Sequence, residues 1–238
     1  METFIREQML LGDEAMGRLA GSHVIVFGIG GVGSYTVEAL ARAGVGKLTL
    51  VDNDTVGLSN INRQLCALHS TVGQYKTEVM AARVRDINPD CQVRALPLLY
   101  NEQNKHLFFD RAYDYIVDAI DLVSCKLSLI QTAREAGIPI ISAMGTGNKL
   151  DPSSFEITDL AKTSGCPLAR IMRRELRARG IEHHTVLYSK ELPLCPAALE
   201  APPPGRRSIP GSVSWVPSVA GLMLGGYVIR KLAEGSAE

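Results

Sequence analysis

The sequence predicts an α/β fold in which helices cover both faces of a doubly wound, mainly parallel sheet. Three observations carry this prediction: short β-rich runs alternate with helical patterns, a glycine-rich turn joins the first run to a helix, and the regularity fades after about residue 149. At 238 residues the chain is long enough for one large domain. We therefore expect a single Rossmann-like domain over residues 1–238, with a core at 1–150 and a C-terminal strand/helix extension at 151–238.

Alternating patterns place the individual elements. The strands expected in the core lie at 23–28, 47–52, 92–99, 113–120 and 139–143. The helices between them lie at about 31–43, 75–88 and 122–136, and Pro89 and Gly137 end the last two. The extension predicts strands at 155–158 and 184–188 and helices at 167–179 and 217–233. Residues 190–217 contain seven prolines and predict a loop.

Composition limits the partners and the cellular compartment that we expect for the protein. The 25 basic and 25 acidic residues balance, so no global field recruits nucleic acid or an anionic membrane. The five cysteines are odd in number, widely spread and without a C-x-x-C pair, which favours a reducing cytoplasm. The first 21 residues lack the pattern of a signal peptide, and the apolar run 214–229 contains Pro217 and is too short to cross a bilayer. We expect no membrane association.

A glycine-rich turn follows the first expected strand. Gly28, Gly30, Gly31 and Gly33 lie between the strand HVIVF and a helical pattern. Without side chains the backbone can approach a phosphate, which free N–H groups and the helix dipole then stabilise. Asp52 closes the next strand, 24 residues after Gly28, where a carboxylate can accept hydrogen bonds from a ribose. These features predict a nucleotide site, and taken alone they fit an NAD-binding domain best.

A polar segment directly after Asp52 changes that interpretation. Its polar side chains include Asp54, Asn60, Asn62, Arg63 and Gln64. Hydride transfer has little use for such a cluster, whereas a reacting triphosphate needs fixed cations and hydrogen-bond donors. Arg63 and Lys76, at the start of the next helix, are the candidate cations. The alternative is that either one is a solvated surface charge.

Two carboxylates end the fourth expected strand. Asp118 and Asp121 belong to the run VDAID, at the edge of the sheet where ligands of open α/β sheets bind. One carboxylate there can hold Mg²⁺ against phosphates. Asp121 also directly precedes a helical pattern, so helix capping is the alternative. We predict that Asp121 binds the metal and leave Asp118 open.

Four motifs in this order resemble the ThiF, MoeB and ubiquitin-activating adenylating enzymes: GIGGVG, VDxDxVxxSNxNRQ, the lysine of GQYKTEV, and DAID. The resemblance implies adenylation with ATP and Mg²⁺ and release of pyrophosphate. The ATP-binding set is Gly28, Gly30, Gly31, Gly33, Asp52, Asp54, Asn60, Arg63, Gln64 and Lys76. The implied catalytic residues are Arg6, Arg63, Lys76 and Asp121, the last as the Mg²⁺ ligand. Arg6 would reach into the partner subunit of a homodimer.

The second half is similar to one branch of this family, which acts on threonylcarbamoyladenosine beside the anticodon of tRNA. INP, SAMGTGNKLDP, ITDLAKT and VPSVAGLMLGG carry the similarity. It implies ATP-dependent dehydration of that nucleoside, with 151–238 binding the substrate and contacting the second subunit; a cysteine desulfurase or other sulfur-transfer partner is left open. The alternatives are adenylation of a ubiquitin-like sulfur carrier, which the missing C-x-x-C pairs disfavour, and a dinucleotide-sensing protein without catalysis.

Residues 161–190 hold seven basic and two acidic residues, a net charge of +5. The candidates for contact with tRNA are Lys162, Arg170, Arg173, Arg174 and Arg177. The four arginines recur at three- and four-residue spacings, so one helical face could lie along a phosphate backbone. The alternative is an ordinary solvated face. Cys195 is either a thioester nucleophile, with His183 or His184 as base, or an unreactive thiol.

Overall fold

A computed structural model describes residues 2–197, 199 and 209–235. Its strands are β1 (His23–Phe27), β2 (Lys47–Val51), β3 (Gln92–Leu96), β4 (Tyr115–Asp118), β5 (Ile140–Ala143), β6 (Phe155–Asp159) and β7 (Thr185–Ser189). Its α-helices are α1 (Ile5–Leu11), α2 (Asp13–Gly21), α3 (Gly33–Arg42), α4 (Lys76–Ile87), α5 (Val123–Glu135), α6 (Pro167–Arg177) and α7 (Trp215–Glu234). In the described residues the strands form one sheet in the order β3-β2-β1-β4-β5-β7-β6.

The doubly wound prediction is confirmed. The chain runs outward from β1 to β3, returns to pair β4 beside β1, and continues outward through β5. All pairs are parallel except β6 with β7. The carboxyl ends of β1 and β4 therefore diverge at one switch point, where open α/β sheets bind ligands.

The C-terminal extension completes the same sheet. Parallel β7 pairs with β5, and antiparallel β6 forms the edge. The five core strands are one to four residues shorter than the sequence predicts, because residues at their ends belong to the adjoining loops; β4 is shorter by two residues at each end. The described part of the extension therefore continues the sheet of the core and can contribute to its cleft.

Alternation along β1 divides the interior between two faces. Val24 and Val26 pack with α3, α4 and α7, whereas Ile25 and Phe27 pack with α5 and α6. Successive strand residues point to opposite faces, so the four consecutive apolar residues of β1 require cover on both sides.

The final helix is the closest helical neighbour of α3. A Cβ atom on Gly221 would lie 2.2 Å from the backbone oxygen of Val32, and one on Gly225 would lie 2.6 Å from the Cβ of Ala39. The small residues of α7 thus allow close contact with α3, and they account for the apolar run seen in the sequence. Within the described residues no helix is long and apolar enough to span a membrane.

Two features differ from the sequence prediction. The amino-terminal helices α1 and α2 were not predicted, because their short, mixed-charge segments give little periodicity. Helix α7 begins at Trp215, two residues before Pro217, which occupies the first turn where a missing N–H is tolerated. The described parts of 190–214 contain neither helix nor strand, as expected for a loop.

Candidate active site

A cleft of about 880 Å³ opens at the carboxyl ends of β1, β2, β4 and β5. One wall comes from the glycine turn and the polar segment after β2. The opposite wall comes from residues 143–149, the start of α6 and parts of the 190–217 loop. Both sequence-predicted halves of the chain therefore line one cavity.

The glycine turn forms the floor of the first wall, with distinct requirements at its positions. Gly28 has φ +86°, and a Cβ atom there would lie 2.6 Å from the oxygen of Ala119. A Cβ on Gly33 would lie 1.7 Å from the oxygen of Gly28, whereas one on Gly30 would meet nothing closer than 3.8 Å. Gly28 and Gly33 are required by packing, and Gly30 keeps the surface open toward the cleft.

Asp52 ties the end of β2 to this turn. Its Oδ2 accepts a hydrogen bond from the backbone N–H of Ile29 at 2.6 Å, and its Oδ1 accepts one from that of Asp54 at 2.8 Å. Burial raises the pKa of Asp52, while the charge of Lys76 and both hydrogen bonds oppose the shift. The carboxylate also lines the cleft, so its remaining lone pairs can accept hydrogen bonds from a ligand.

Lys76 begins α4 and reaches the same wall. Its Nζ lies 2.8 Å from Oδ2 of Asp54. The lysine is buried and the aspartate is exposed, so the ammonium group is confined at the cleft. A confined cation is suited to a phosphate oxygen, because little orientation has to be lost on binding.

The segment after β2 wraps beneath the glycine turn. Oδ1 of Asn60 accepts from the N–H of Gly57 at 3.0 Å, and its backbone oxygen accepts from the N–H groups of Arg63 and Gln64. Nη1 of Arg63 donates to the oxygen of Ser59 at 2.7 Å, and burial lowers the pKa of the arginine, which stays charged. Asn60, Arg63 and Gln64 all line the cleft.

The DAID run supplies the edge between the two walls. Asp118 is fully buried, and its Oδ2 lies 2.9 Å from Nζ of the equally buried Lys126. The contact is an ion pair rather than an aligned hydrogen bond. Asp121 is exposed and lines the cleft. The N-cap residue of α5 is Leu122, one residue after Asp121.

Asn148 organises the opposite wall. It adopts the left-handed conformation, with φ 60°, which asparagine tolerates better than most residues. Its backbone exchanges hydrogen bonds with Gly211 and Leu194, and its Oδ1 accepts from the N–H of Gly211 at 2.6 Å. One residue thus joins both described flanks of the 190–217 loop to the cleft.

Lys149 is buried beside it, and burial lowers the pKa of this lysine. Its Nζ donates to the backbone oxygen of Glu191. The carboxylate of Glu191 in turn accepts from the N–H groups of Leu150 and Asp151 at 2.9 and 3.0 Å. This lysine and glutamate fasten the end of β7 to the second wall.

A sequence model of the ThiF family matches residues 5–237. The chain belongs to the ThiF family. The tRNA threonylcarbamoyladenosine dehydratase of Bacillus subtilis (strain 168) is 43% identical over 241 residues, which cover 98% of this chain and 95% of that protein. Two structures of E. coli tRNA N6-threonylcarbamoyladenosine dehydratase, TcdA, are in complex with ATP and with AMP. Each has a TM-score of 0.88 and 35% identity and covers 98% of this chain and 94% of that chain.

In this ThiF-family chain most of the predicted nucleotide residues meet in the cleft. Those that line it are Gly28, Gly30, Gly31, Asp52, Asp54, Asn60, Arg63, Gln64, Lys76 and Asp121. Gly33 lies behind the turn, and Arg6 is exposed on α1 outside the cleft lining. Their roles as ligands and catalysts stay predictions.

The predicted basic face divides into two groups. Arg170, Arg174 and Arg177 on α6 are exposed, as is Lys162. Nη1 of Arg173 instead points inward and donates to the backbone oxygens of Leu160 and Thr163 and to Oγ1 of Thr163. Arg173 therefore holds α6 to the preceding turn.

The side chains proposed around Cys195 are engaged elsewhere. Cys195 is exposed and carries a free thiol. Nδ1 of His183 lies 2.9 Å from the carboxylate of Asp159, and Nε2 of buried His184 lies 2.8 Å from Oγ of Ser142. Each histidine therefore bonds to a side chain other than the thiol.

Sequence reasoning did not identify Lys126, Asn148 or Lys149 as parts of the site. A signal for Lys126 exists: it recurs with Leu129, Ile130 and Ala133 at helical spacing, all of them buried. A lysine on an otherwise apolar helix face requires a buried counter-charge, and Asp118 is that charge.

Proposed function

We propose that this ThiF-family protein catalyses the ATP-dependent dehydration of N6-threonylcarbamoyladenosine in tRNA, next to the anticodon. The observation that carries the proposal is that one cleft gathers the glycine turn, Asp52, Arg63, Lys76 and Asp121. This set suits a triphosphate, and the near full-length similarity to the dehydratases makes the threonylcarbamoyl group the substrate. The cleft opens between two walls, so a nucleoside can approach from outside while ATP occupies the glycine side.

The reaction has two steps that balance. An oxygen of the threonyl carboxylate attacks the α-phosphorus of ATP, and the bond from that phosphorus to pyrophosphate breaks. A nucleophile of the same side chain then attacks the activated carbonyl carbon and loses its proton, and AMP leaves with one carboxylate oxygen. The nucleoside has lost one water overall, and ring closure within the substrate requires no enzyme thiol.

The residues of the first wall have separate tasks in the first step. Backbone N–H groups of the glycine turn and the start of α3 hold phosphate oxygens. Arg63 and Lys76 offset the charge that develops as pyrophosphate leaves. Asp52 accepts hydrogen bonds from the ribose, which fixes the α-phosphate relative to both cations.

Mg²⁺ fits the donors present. Among residues 2–197, 199 and 209–235, no group of three or more His, Cys, Asp or Glu side chains could hold a metal ion. Mg²⁺ commonly takes one or two carboxylates and completes its octahedron with phosphates and water. Asp121 offers such a hard oxygen donor at the cleft, and the bound ion would neutralise phosphate charge there.

The test combines the protein, Mg-ATP and tRNA carrying threonylcarbamoyladenosine, followed by digestion and mass spectrometry of the nucleosides. We expect the nucleoside to lose the mass of one water and ATP to yield AMP and pyrophosphate. Unchanged nucleoside mass, or ADP in place of AMP, would refute the proposal. A sulfur-carrier protein ending in diglycine, supplied instead of tRNA, tests the alternative substrate.

We further propose that the active form is a homodimer in which Arg6 completes the partner's site. Arg6 lies on α1 beside Ile5, Met9 and Leu10, which are 48%, 76% and 87% exposed. Three apolar side chains on a seven-residue helix form a surface suited to burial against another subunit. The arginine would then enter the partner's cleft from this helix.

Complementation tests the exchange of Arg6 between subunits. Arg6→Ala and Lys76→Ala are each expected to remove turnover. In a random mixture half of the dimers are mixed, and each has one site with both residues, so about a quarter of wild-type turnover should return. A monomer in solution, or no recovery in a mixture shown to exchange subunits, would exclude the shared site.

The two walls of the cleft come from different parts of the chain, which suggests that each part binds a different substrate. We propose that residues 1–150 bind ATP, and that residues 151–238 bind tRNA and contact the second subunit. In the complex the phosphate backbone of the tRNA would lie along Lys162, Arg170, Arg174 and Arg177. Free cysteines, four of them buried, fit a cytoplasmic site of action. A cysteine desulfurase or other sulfur-transfer partner stays a prediction of the resemblance.

A further inference from the structure

Asp118 and Lys126 form an ion pair in the interior of the protein. Both side chains are 0% exposed. Removing two charges from water is costly, and apolar residues of the same volume commonly stabilise a fold as well or better. Stability alone therefore does not explain the ion pair, and the other hydrogen bonds of the two side chains indicate its role.

Both side chains hold the same residue. Oδ1 of Asp118 accepts a hydrogen bond from the backbone N–H of Ile120 at 3.1 Å. Nζ of Lys126 donates to the backbone oxygen of Ile120 at 3.1 Å. Each polar group of the Ile120 backbone is thus bound by one member of the pair, directly before Asp121.

The turn held in this way is part of the cleft. Ala119, Ile120, Asp121 and Leu122 all line it. A Cβ atom on Gly28 would lie 2.6 Å from the oxygen of Ala119 and 3.1 Å from the nitrogen of Ile120. The turn therefore contacts the glycine turn, and a small displacement would alter the distance between Asp121 and the phosphates.

We propose that the buried ion pair of Asp118 and Lys126 is a positioning device that fixes the 119–122 turn, and with it the carboxylate of Asp121, against the glycine turn. The inference rests on the proposed function for what Asp121 binds. Two hydrogen bonds of opposite direction to one peptide residue restrict both its rotation and its translation. Neutral apolar side chains at 118 and 126 would fill the same space without restricting either.

The decisive variant replaces both charges together. Asp118→Leu/Lys126→Met keeps similar volumes and leaves no unpaired buried charge, so it should fold and melt within about 5 °C of wild type. We expect faster amide hydrogen exchange at Ile120, by at least about tenfold, because its N–H loses its acceptor. The amide of Ala119, which bonds to the oxygen of Phe27 at 2.8 Å, is the internal control and should be unchanged.

Binding of ATP gives the second readout, measured by calorimetry with and without Mg²⁺. The double variant should bind ATP in EDTA as wild type does, since the glycine turn, Asp52 and Lys76 are unaltered. The tightening by Mg²⁺ should fall at least about tenfold, because Asp121 no longer has a fixed position. The single variant Lys126→Arg keeps a positive charge beside Asp118. It should therefore retain most of the tightening of ATP binding by Mg²⁺.

Arg83→Met is the matched control for the loss of an ion pair. Arg83 joins α4 to Glu38 of α3 at 2.7 Å, and neither residue lines the cleft. Its removal should lower stability without changing the response to Mg²⁺. Unchanged exchange at Ile120 in the double variant, or undiminished tightening by Mg²⁺, would overturn the positioning role. Failure of wild type to modify tRNA would refute the proposed function alone, since exchange at Ile120 still reports on the turn.

Discussion

The ammonium group of Lys76 lies 2.8 Å from the carboxylate of Asp54, yet only the lysine is buried: the two side chains are 6% and 61% exposed. Water reaches the acceptor but hardly the donor. Phosphate oxygens can therefore replace Asp54 as the partner of Lys76 without moving the lysine. In the proposed reaction the pair would be a resting contact for a cation that is already in place.

Lys76→Met should lower the rate of ATP–pyrophosphate exchange at least about 100-fold, because Arg63 alone would then offset the charge that develops on the leaving phosphates. Stability should change by about 1 kcal/mol or less, since Asp54 is left exposed to water. Stopped assays of exchange and chemical denaturation measure both. Lys105→Met is the control, because Lys105 also pairs with a carboxylate, at 2.6 Å from Glu102, outside the cleft lining. Equal losses in the two variants would contradict a specific role for Lys76.

Much of the first wall is local in sequence, and this is why it could be predicted. Gly28 and Asp52 directly follow strand ends and Asp121 lies three residues after one, and parallel strands bring their carboxyl ends to one edge. The spacing of apolar residues likewise places the strands and helices of the core, apart from their terminal residues.

The second wall could not be predicted in the same way. Asn148 contacts Leu194 and Gly211, which lie 46 and 63 residues away, and no periodicity encodes such pairings. Arg173 has the spacing of a surface arginine, and only the tertiary position of the 160–163 turn shows that it points inward. Contacts between distant loops depend on the complete fold.

The glycine turn gives a paired prediction. Gly33→Ala should destabilise the protein by several kcal/mol, because its Cβ would lie 1.7 Å from the backbone oxygen of Gly28. Gly30→Ala should melt close to wild type, since the nearest atom to its Cβ is 3.8 Å away, but should weaken ATP binding by about tenfold through the loss of close approach to phosphate. Thermal melts and calorimetry separate the two effects. Tight ATP binding by Gly30→Ala would place the phosphates elsewhere.

The arginines of α6 should differ in what they contribute. Arg170→Ala and Arg177→Ala should leave stability unchanged and lower the slope of log affinity for tRNA against log salt by about one each. Arg173→Ala should instead cost about 1–3 kcal/mol of stability, because the backbone oxygen of Thr163 loses its arginine donor and that of Leu160 loses one of its donors. Filter binding over a salt series and urea denaturation make the comparison. A reduced salt slope for Arg173→Ala at unchanged stability would show that its guanidinium faces tRNA.

His184 should make the fold sensitive to acid. Burial lowers the pKa of His184 from 6.5 to about 4, with a 2.8 Å contact to Ser142 in the folded state. Between these two pKa values the unfolded chain binds a proton at His184 that the folded chain does not bind. The contribution of neutral, buried His184 to the free energy of unfolding is therefore fully present above the unfolded pKa of 6.5, and it is lost as the pH falls toward 4. Between about pH 7.5 and about pH 5.0 the linked loss is about 2 kcal/mol.

A non-titrating variant isolates that loss from the contribution of the carboxylates. His184→Gln can still contact Ser142, and the fall in its unfolding free energy between the two pH values should be about 2 kcal/mol smaller than in wild type. Urea denaturation of both proteins at both pH values gives the four unfolding free energies. Subtracting the pH-dependent change in the variant from that in wild type cancels the contributions of the other titrating groups. If the two proteins lost the same free energy, His184 would have to be accessible to protons in the folded state, and the buried polar contact between β5 and the start of β7 would have to open well before the sheet unfolds.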